Sequence, residues 1–260
     1  MIFIIDSGIG GLSIYKKVRK IIPNESYIYF LDNQGFPYGE KKEKFLLKRI
    51  KKISQKINTL YKIRLVILAC NTISTLAYFK IQNYFFCPTV RTTPDFQKAF
   101  KLSKNRIIGL LSTKVTNSSR YVKNKIRKYS GIFKFLVLDA NNMTVLSEKK
   151  FIGKKVCKKS IFNILKPILG KKNLDTIILG CTHFYILKKE ILSFFSKKIY
   201  LVDSVESTIK KIPSYFIGSK NSQKRTINNY LLYSKSINNF KIFKKNLEQY
   251  NFFRIKKIEI

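Results

Sequence analysis

Two cysteines, Cys70 and Cys181, lie in matching sequence settings in the two halves of the chain. Each follows a short apolar run, which predicts a buried strand, and each precedes small polar residues that favour the start of a helix. A thiol at such a turn lies near unpaired backbone N–H groups and a positive helix end, and this setting lowers the pKa of a thiol. Two thiols that face one carbon from opposite sides could exchange its proton, as a racemase requires.

The other cysteines, Cys87 and Cys157, have no such setting. Cys87 precedes a proline and Cys157 lies in a basic helical stretch, so we expect both to be structural or incidental. Because there is no CxxC pair and His183 is the only histidine, we predict no metal and no disulfide framework. No clear signature of a cofactor such as pyridoxal phosphate appears either, so we expect none. A single free cysteine is often buried and inert, and only the matched setting of the first pair favours chemistry.

Asp6, Ser7 and His183 are further polar residues that could take part in chemistry. Asp6 and Ser7 precede a glycine-rich turn at 8–11, which allows close backbone approach to an anion but lacks the spacing of dinucleotide folds. An ordinary helix cap is the alternative, and Asp6 could also bind an ammonium group or tune a thiol. His183 could exchange a proton with Cys181 or cap a helix. A Cys–His pair also suggests a nucleophilic hydrolase, which leaves the second matched cysteine unexplained.

The elements that must position these residues alternate between strands and helices. Predicted strands cover 2–5, 27–31, 65–69, 106–111, 134–138, 176–179 and 199–202. Predicted helices cover 12–21, 42–61, 118–129 and 155–169, and shorter ones follow the two cysteines to about 83 and 195. This alternation predicts an α/β fold with mostly parallel sheets, in which ligands bind at the carboxyl ends of the strands.

A break in the pattern at 86–97 predicts a crossover between two similar lobes. Each lobe would be a mostly parallel sheet flanked by helices, with the active site in the cleft between them. The first lobe would span 1–93 and 206–260, and the second would span 94–205. The tail is basic and polar and carries few structural signals.

The net charge of +38 is extreme, since 52 lysines and arginines face only 14 acidic residues. Binding to nucleic acid is one interpretation, and an AT-rich codon composition is the other. We favour the second, because the lysines are dispersed and no nucleic-acid motif accompanies them, so only nonspecific electrostatic binding is expected. No apolar run is long enough to span a membrane and the N-terminal residues do not resemble a secretory signal, so we expect a cytoplasmic protein.

Four sequence blocks occur in an order typical of one family. The blocks are Asp6–Ser13, Pro37–Gly39, Ala69–Thr72 and Gly180–Phe184. Together they resemble the glutamate racemases, which belong to the cofactor-independent aspartate/glutamate racemase family. The resemblance implies an enzyme that interconverts L- and D-glutamate and supplies D-glutamate for peptidoglycan synthesis. It also implies a homodimer.

The same resemblance implies roles for individual residues. Cys70 and Cys181 would be the two bases, acting on D-glutamate and L-glutamate respectively, with Asp6 and His183 assisting them. The implied substrate-binding residues are Asp6, Ser7, Tyr38, Gly39, Asn71, Thr72, Thr116, Thr182 and His183.

The chain departs from the family pattern at a few positions. Arg91 and Val115 stand where a glycine is common, and Asp139 is the candidate for an acidic residue expected in the second lobe. Two alternatives stay open: a racemase of aspartate or another acidic amino acid, and a basic protein that keeps the fold and binds nucleic acid without turnover.

Overall fold

The computed structural model describes residues 1–216 and 227–260, so part of the predicted basic tail, 217–226, lies outside the described residues. The strands are β1 (Ile2–Asp6), β2 (Tyr27–Leu31), β3 (Leu65–Leu68), β4 (Thr89–Arg91), β5 (Ile107–Ser112), β6 (Lys134–Asp139), β7 (Leu174–Leu179), β8 (Tyr200–Val202), β9 (Asn229–Tyr233) and β10 (Arg254–Lys257).

Helices connect most of these strands. They are α1 (Leu12–Ile21), α2 (Glu43–Leu60), α3 (Asn71–Leu76), α4 (Tyr78–Ile81), α5 (Phe96–Leu102), α6 (Lys114–Ser118), α7 (Arg120–Tyr129), α8 (Asn141–Phe151), α9 (Lys158–Leu165), α10 (Lys188–Leu192), α11 (Val205–Ile209) and α12 (Phe240–Leu247). Short 3₁₀ turns include Tyr38–Glu40 and Thr182–Leu187. Within the described ranges, none of the helices combines the length and the apolar composition needed to cross a bilayer.

The described strands form two parallel sheets. The first has the order β10-β9-β2-β1-β3-β4 and the second has the order β6-β5-β7-β8, with every paired neighbour parallel. Both faces of β1 are covered: Ile2 and Ile4 pack into one core cluster, and Phe3 and Ile5 pack into another. Burial on both faces explains why the central strands are continuous apolar runs rather than alternating ones. The predicted α/β class with parallel sheets flanked by helices is confirmed.

The structure differs from the sequence prediction in the connections. The predicted crossover contains β4 and α5, and the single predicted helix after Cys70 is divided into α3 and α4. The prediction missed α8 entirely. Its buried face mixes Met143 and Leu146 with Thr144 and Ser147, so the apolar period that signals a helix is weak there.

Arg91 ends β4 near the predicted crossover. Its guanidinium lies 4.7 Å from the ring centre of Tyr78, 5.4 Å from that of Phe79 and 5.5 Å from that of Tyr121. Tyr78 and Phe79 belong to α4, and Tyr121 belongs to α7. The cation therefore joins helices that flank different sheets through cation–π contacts.

Candidate active site

Cys70 lies between β3 and α3, and its thiol is buried. Burial raises the pKa of this thiol well above its usual value, and the nearby charges of Asp6 and Cys181 raise it further. The backbone N–H groups of Thr72 and Ile73 do reach the sulfur and act in the opposite direction. The expectation that the turn lowers the pKa is therefore wrong for Cys70, because burial and negative neighbours outweigh the N–H groups.

Cys181 follows β7 and precedes a 3₁₀ turn, and its thiol is also buried. Its Sγ lies 3.8 Å from Nδ1 of His183, and Nε2 of His183 lies 2.9 Å from Oε1 of Glu148. Burial alone would lower the pKa of His183, but the bonds to Cys181 and Glu148 and the charge of Asp6 raise it well above its usual value. The raised pKa favours the protonated ring, and the positive charge of an imidazolium and the negative charge of a thiolate stabilise each other.

Glu148 connects this histidine to the glycine-rich turn after β1. Its Oε1 also accepts a hydrogen bond of 2.8 Å from the backbone N–H of Ile9. The turn needs glycine here, since a Cβ on Gly8 would lie 2.1 Å from that same oxygen and a Cβ on Gly10 would lie 2.6 Å from the backbone nitrogen of His183. The close approach of these backbones explains the glycines better than a positive φ angle does.

Glu148 was not predicted from the sequence. Asp139, the candidate for the acidic residue of the second lobe, has no hydrogen bond to either cysteine or to His183 among the described residues. Asp139 is exposed and accepts a hydrogen bond of 2.6 Å from Nδ2 of Asn117. The only available signal was an acidic residue on α8, the helix whose pattern was too weak to predict.

Asp6 joins the turn after β1 to the turn that carries Cys181. Its Oδ1 accepts a hydrogen bond of 2.7 Å from the backbone of Ser7, and its Oδ2 accepts one of 3.0 Å from the hydroxyl of Thr182. The carboxyl is fully buried, and burial raises its pKa although His183 and these hydrogen bonds lower it. Ser7 and Thr182 are buried beside it.

Three threonine hydroxyls form a second polar group in the site. Oγ1 of Thr72 lies 3.2 Å from that of Thr113 and 3.3 Å from that of Thr116, and Thr113 donates to Thr116 at 2.9 Å. A Cβ on Gly39 would lie 2.5 Å from Cγ2 of Thr113, so this glycine allows its loop to pack against the threonines. Thr72 and Thr116 were predicted site residues, whereas Thr113 was not.

The side chain of Asn71 offers a free donor. Its Oδ1 accepts a hydrogen bond of 3.3 Å from the hydroxyl of Ser204, while its buried Nδ2 has no hydrogen-bond partner within the described part of the chain. A buried amide without an acceptor is costly, and a ligand carboxylate would satisfy it.

The comparison with known proteins decides the family. The profile of the family described as Asp/Glu/Hydantoin racemase matches residues 2–212. The chain belongs to this family. It is 45% identical over 238 residues to glutamate racemase of Buchnera aphidicola subsp. Schizaphis graminum (strain Sg), covering 89% of each chain. It is 42% identical over 236 residues to glutamate racemase of Buchnera aphidicola subsp. Acyrthosiphon pisum (strain 5A), covering 90% of each.

A solved structure of the Asp/Glu/Hydantoin racemase family is also similar. The crystal structure of Escherichia coli glutamate racemase in complex with L-glutamate and the activator UDP-MurNAc-Ala has a TM-score of 0.90 and 31% sequence identity. The match covers 99% of this chain and 97% of that one. The family membership predicted from four short blocks is thus confirmed.

The two departures from the family pattern lie in ordinary structural surroundings. Val115 lies in the first turn of α6 and has no positive φ angle, so the backbone does not require a glycine there. Arg91 lies among aromatic rings at the junction of α4 and α7, with no contact to either catalytic candidate among the cation–π and hydrogen-bond partners of the described residues.

Proposed function

We propose that this protein interconverts L- and D-glutamate by two-base proton transfer between Cys70 and Cys181. One observation carries the proposal: two buried thiols follow matching strands of the two sheets, and Asp6, on the strand beside that of Cys70, accepts a hydrogen bond of 3.0 Å from Thr182, the residue after Cys181. The similarity to curated glutamate racemases over about nine-tenths of the chain supports glutamate as the substrate.

Each thiol has a defined part in the proposed proton transfer. A thiolate removes the α-proton from one face, and the electron pair of the broken C–H bond stays on the α-carbon. The thiol of the other cysteine then donates its proton to the opposite face and becomes the thiolate. By likeness to the family, Cys181 acts on L-glutamate with His183 as its partner, and Cys70 acts on D-glutamate with Asp6 as its partner.

The substrate must be held so that its α-carbon lies between the sulfur atoms. The buried donors around the thiols suit the two carboxylates of glutamate, and preorganised donors of this kind stabilise developing negative charge. We propose that the substrate-binding set is Asp6, Ser7, Tyr38, Gly39, Asn71, Thr72, Thr116, Thr182 and His183. The buried Nδ2 of Asn71, which has no partner among the described residues, is the strongest single support for a bound carboxylate.

The experiment is racemisation in D₂O. Purified protein is incubated with L-glutamate and no added cofactor, and circular dichroism and mass spectrometry follow chirality and deuterium content. Two-base transfer predicts that newly formed D-glutamate carries deuterium while the remaining L-glutamate is still protiated early in the reaction. Equal deuterium in both enantiomers from the start would indicate a single base, and no change in chirality would contradict the proposed activity.

L-aspartate serves as the parallel substrate in the same experiment. Both acids carry the same charges, and only the chain length between the carboxylates differs, so the comparison measures the fit of the pocket. Faster turnover of aspartate would replace the proposed substrate without changing the two-base mechanism.

The wider setting of the protein is also a proposal. We propose a cytoplasmic homodimer that supplies D-glutamate for peptidoglycan, with lobes that span 1–93 plus 206–260 and 94–205. The division into lobes is supported by the first sheet, which takes its strands from 2–91 and 229–257, while the second takes its strands from 107–202. Nucleic acid would bind only through nonspecific attraction to the basic surface.

A further inference from the structure

A buried charged cluster lies directly behind the loop that approaches both thiols. Asp32 follows β2 and is fully buried. Arg49 contacts its carboxylate with Nε at 3.0 Å and Nη2 at 2.6 Å, Tyr38 donates its hydroxyl at 2.6 Å, and Ser234 donates its hydroxyl at 2.7 Å. We call these four residues the Asp32 cluster.

The Asp32 cluster joins segments that are far apart in the sequence. Arg49 lies on α2, Ser234 follows β9, and the Nη1 of Arg49 also donates to the carbonyl of Ile260 at 3.4 Å. A buried carboxylate is tolerated only when it is paired and hydrogen-bonded, and here both oxygens have several donors. The arrangement is therefore rigid, because losing any one donor leaves a buried charge less satisfied.

The loop at 33–39 is fixed to this cluster along its length. The backbone N–H of Gly35 donates to the carbonyl of Asp32 at 3.0 Å, and a Cβ on Gly35 would lie 2.6 Å from a carboxylate oxygen of Asp32. The backbone N–H of Asp32 in turn donates to the carbonyl of Asp6 at 2.8 Å. The start of the loop is thus tied to the strand end that carries a site residue.

The same loop contacts both sides of the proposed active site. The ring of Phe36 lies 5.7 Å from the ring of His183, and Gly39 packs against Thr113. Tyr38 packs in the same core cluster as Cys70. Movement of this loop would therefore change the surroundings of both thiols together.

The hydroxyl of Tyr38 is already used within the Asp32 cluster. Burial and the charge of Asp32 raise the pKa of Tyr38 well above its usual value, so the phenol stays protonated and donates to the carboxylate. A hydroxyl with a single proton cannot donate to Asp32 and to a substrate carboxylate at the same time.

We infer that Asp32 is a positioning residue for racemisation, and that Tyr38 acts through Asp32 rather than by donating its hydroxyl to the substrate. The inference rests on the proposed function for its kinetic consequence. In this arrangement, Asp32 holds the loop at 33–39 against His183 and Thr113. The loop in turn keeps the thiols and the hydrogen-bond donors of the site in position. Arg49 and Ser234 hold Asp32.

A double-mutant cycle tests the inference. The variants are Tyr38→Phe, Asp32→Asn and the combination, and the measurement is kcat and KM for both enantiomers. We expect each single change to lower kcat/KM by about 10- to 100-fold, chiefly through kcat, because small displacements of reacting groups have effects of this size. The combination should be no worse than Asp32→Asn alone, since the two changes remove one shared contact.

Tyr27→Phe is the matched control for the loss of a buried phenol. Tyr27 lies on the neighbouring strand β2, is fully buried, and donates its hydroxyl to the carbonyl of Ile22 at 2.6 Å. This change should lower stability without lowering kcat/KM. The inference is overturned if Tyr38→Phe raises KM and if the fold-losses in kcat/KM of the two single variants multiply in the combination. That result would mean that the hydroxyl binds the substrate directly.

A second measurement does not depend on racemisation. His183 is the only histidine, so its ring resonances are identified without assignment, and they report the nearby ring of Phe36. Asp32→Asn should shift these resonances and speed hydrogen exchange of the backbone at 33–39, while Tyr27→Phe leaves both unchanged. Unchanged spectra and exchange in Asp32→Asn would overturn the inference even in an inactive protein.

A milder variant covers the case in which Asp32→Asn does not fold. Arg49→Lys keeps the positive charge and loses the two-point contact with the carboxylate. We expect the resonances of His183 to shift and kcat to fall as in Asp32→Asn, but by smaller amounts. If wild-type protein racemises neither enantiomer, the proposed function fails, and the spectra and exchange still decide whether Asp32 positions the loop.

Discussion

The surroundings of Cys70 and those of Cys181 differ, although the two thiols occupy matching positions in their sheets. Cys181 has Nδ1 of His183 at 3.8 Å, and Nε2 of that ring lies 2.9 Å from Glu148. Cys70 has no histidine, lysine or arginine among the groups that shift its pKa, and its charged neighbours are Asp6 and Cys181. The two sheets therefore present two buried thiols, one beside a histidine and one beside negative groups.

The difference indicates how two equivalent residues could start a reaction in different protonation states. A two-base mechanism needs one thiolate and one thiol at the outset. Burial and the charge of Asp6 raise the pKa of Cys70 and so favour its thiol form, while Cys181 has the ring of His183 as a hydrogen-bond partner.

Removing either thiol should have the largest effect on racemisation. Cys70→Ala and Cys181→Ala should each lower racemisation on the order of 10³-fold or more, because each removes one acid/base group. Circular dichroism follows the change in chirality, and Cys157→Ala is the control, since that thiol is exposed and lies at the start of α9. Full racemisation by either single variant would defeat the two-base assignment.

The next effect tests the cationic partner of Cys181. Glu148→Gln removes the carboxylate that stabilises the imidazolium, so we expect kcat/KM to fall by about 10- to 100-fold. Asp139→Asn removes an exposed carboxylate of the same lobe and should change kcat/KM little. Equal losses in the two variants would mean that general charge, and not the contact with His183, matters.

A smaller effect tests how closely the turn after β1 must approach His183. Gly10→Ala places a Cβ 2.6 Å from the backbone nitrogen of His183, so we expect a loss of about 1–3 kcal/mol in the free energy of unfolding. Gly131→Ala meets no atom within 4 Å and has no positive φ angle. Denaturant unfolding of both variants measures the difference, and similar losses would show that the close approach is unimportant.

The smallest effect is a pH dependence of His183. Because its pKa is raised on folding, its contribution to stability is fully present below about pH 6.5, its unfolded value, and is lost as the pH rises through the raised folded value. NMR of the single histidine should show no titration midpoint near pH 6.5 in wild type and a lower midpoint in Glu148→Gln than in wild type. A wild-type midpoint near 6.5 would mean that the ring is neutral at physiological pH.

The melting temperature should follow the same pH dependence. The difference in melting temperature between wild type and Glu148→Gln should be largest near pH 6.5 and should decrease as the pH rises. A difference that grows with pH would contradict a stabilising imidazolium.

Much of the fold was predictable because local pattern determined it. The apolar runs before Cys70 and Cys181 became β3 and β7, and the glycines after Asp6 became the turn that meets His183. The missed elements are those with mixed patterns. α8 buries polar residues beside apolar ones, and β9 follows a polar tail, so neither had a clear period.

The site could be predicted only where its residues belong to short sequence motifs. Each predicted site residue is buried, and most of them follow the end of a strand, because short motifs bring neighbours along the chain to one strand end. Glu148, Thr113 and three members of the Asp32 cluster, Asp32, Arg49 and Ser234, were not predicted. They contact the site across long sequence separations, and no local spacing records such contacts.

The sequence by itself determined which strands form, where each thiol stands at a strand end, and which family the chain resembles. These follow from side-chain types and their order, which act over a few residues. Only the tertiary structure decided the pKa shifts of the site. A pKa depends on burial and on groups brought from elsewhere in the chain: Cys181 and Glu148 raise the pKa of His183, and burial, Asp6 and Cys181 raise that of Cys70.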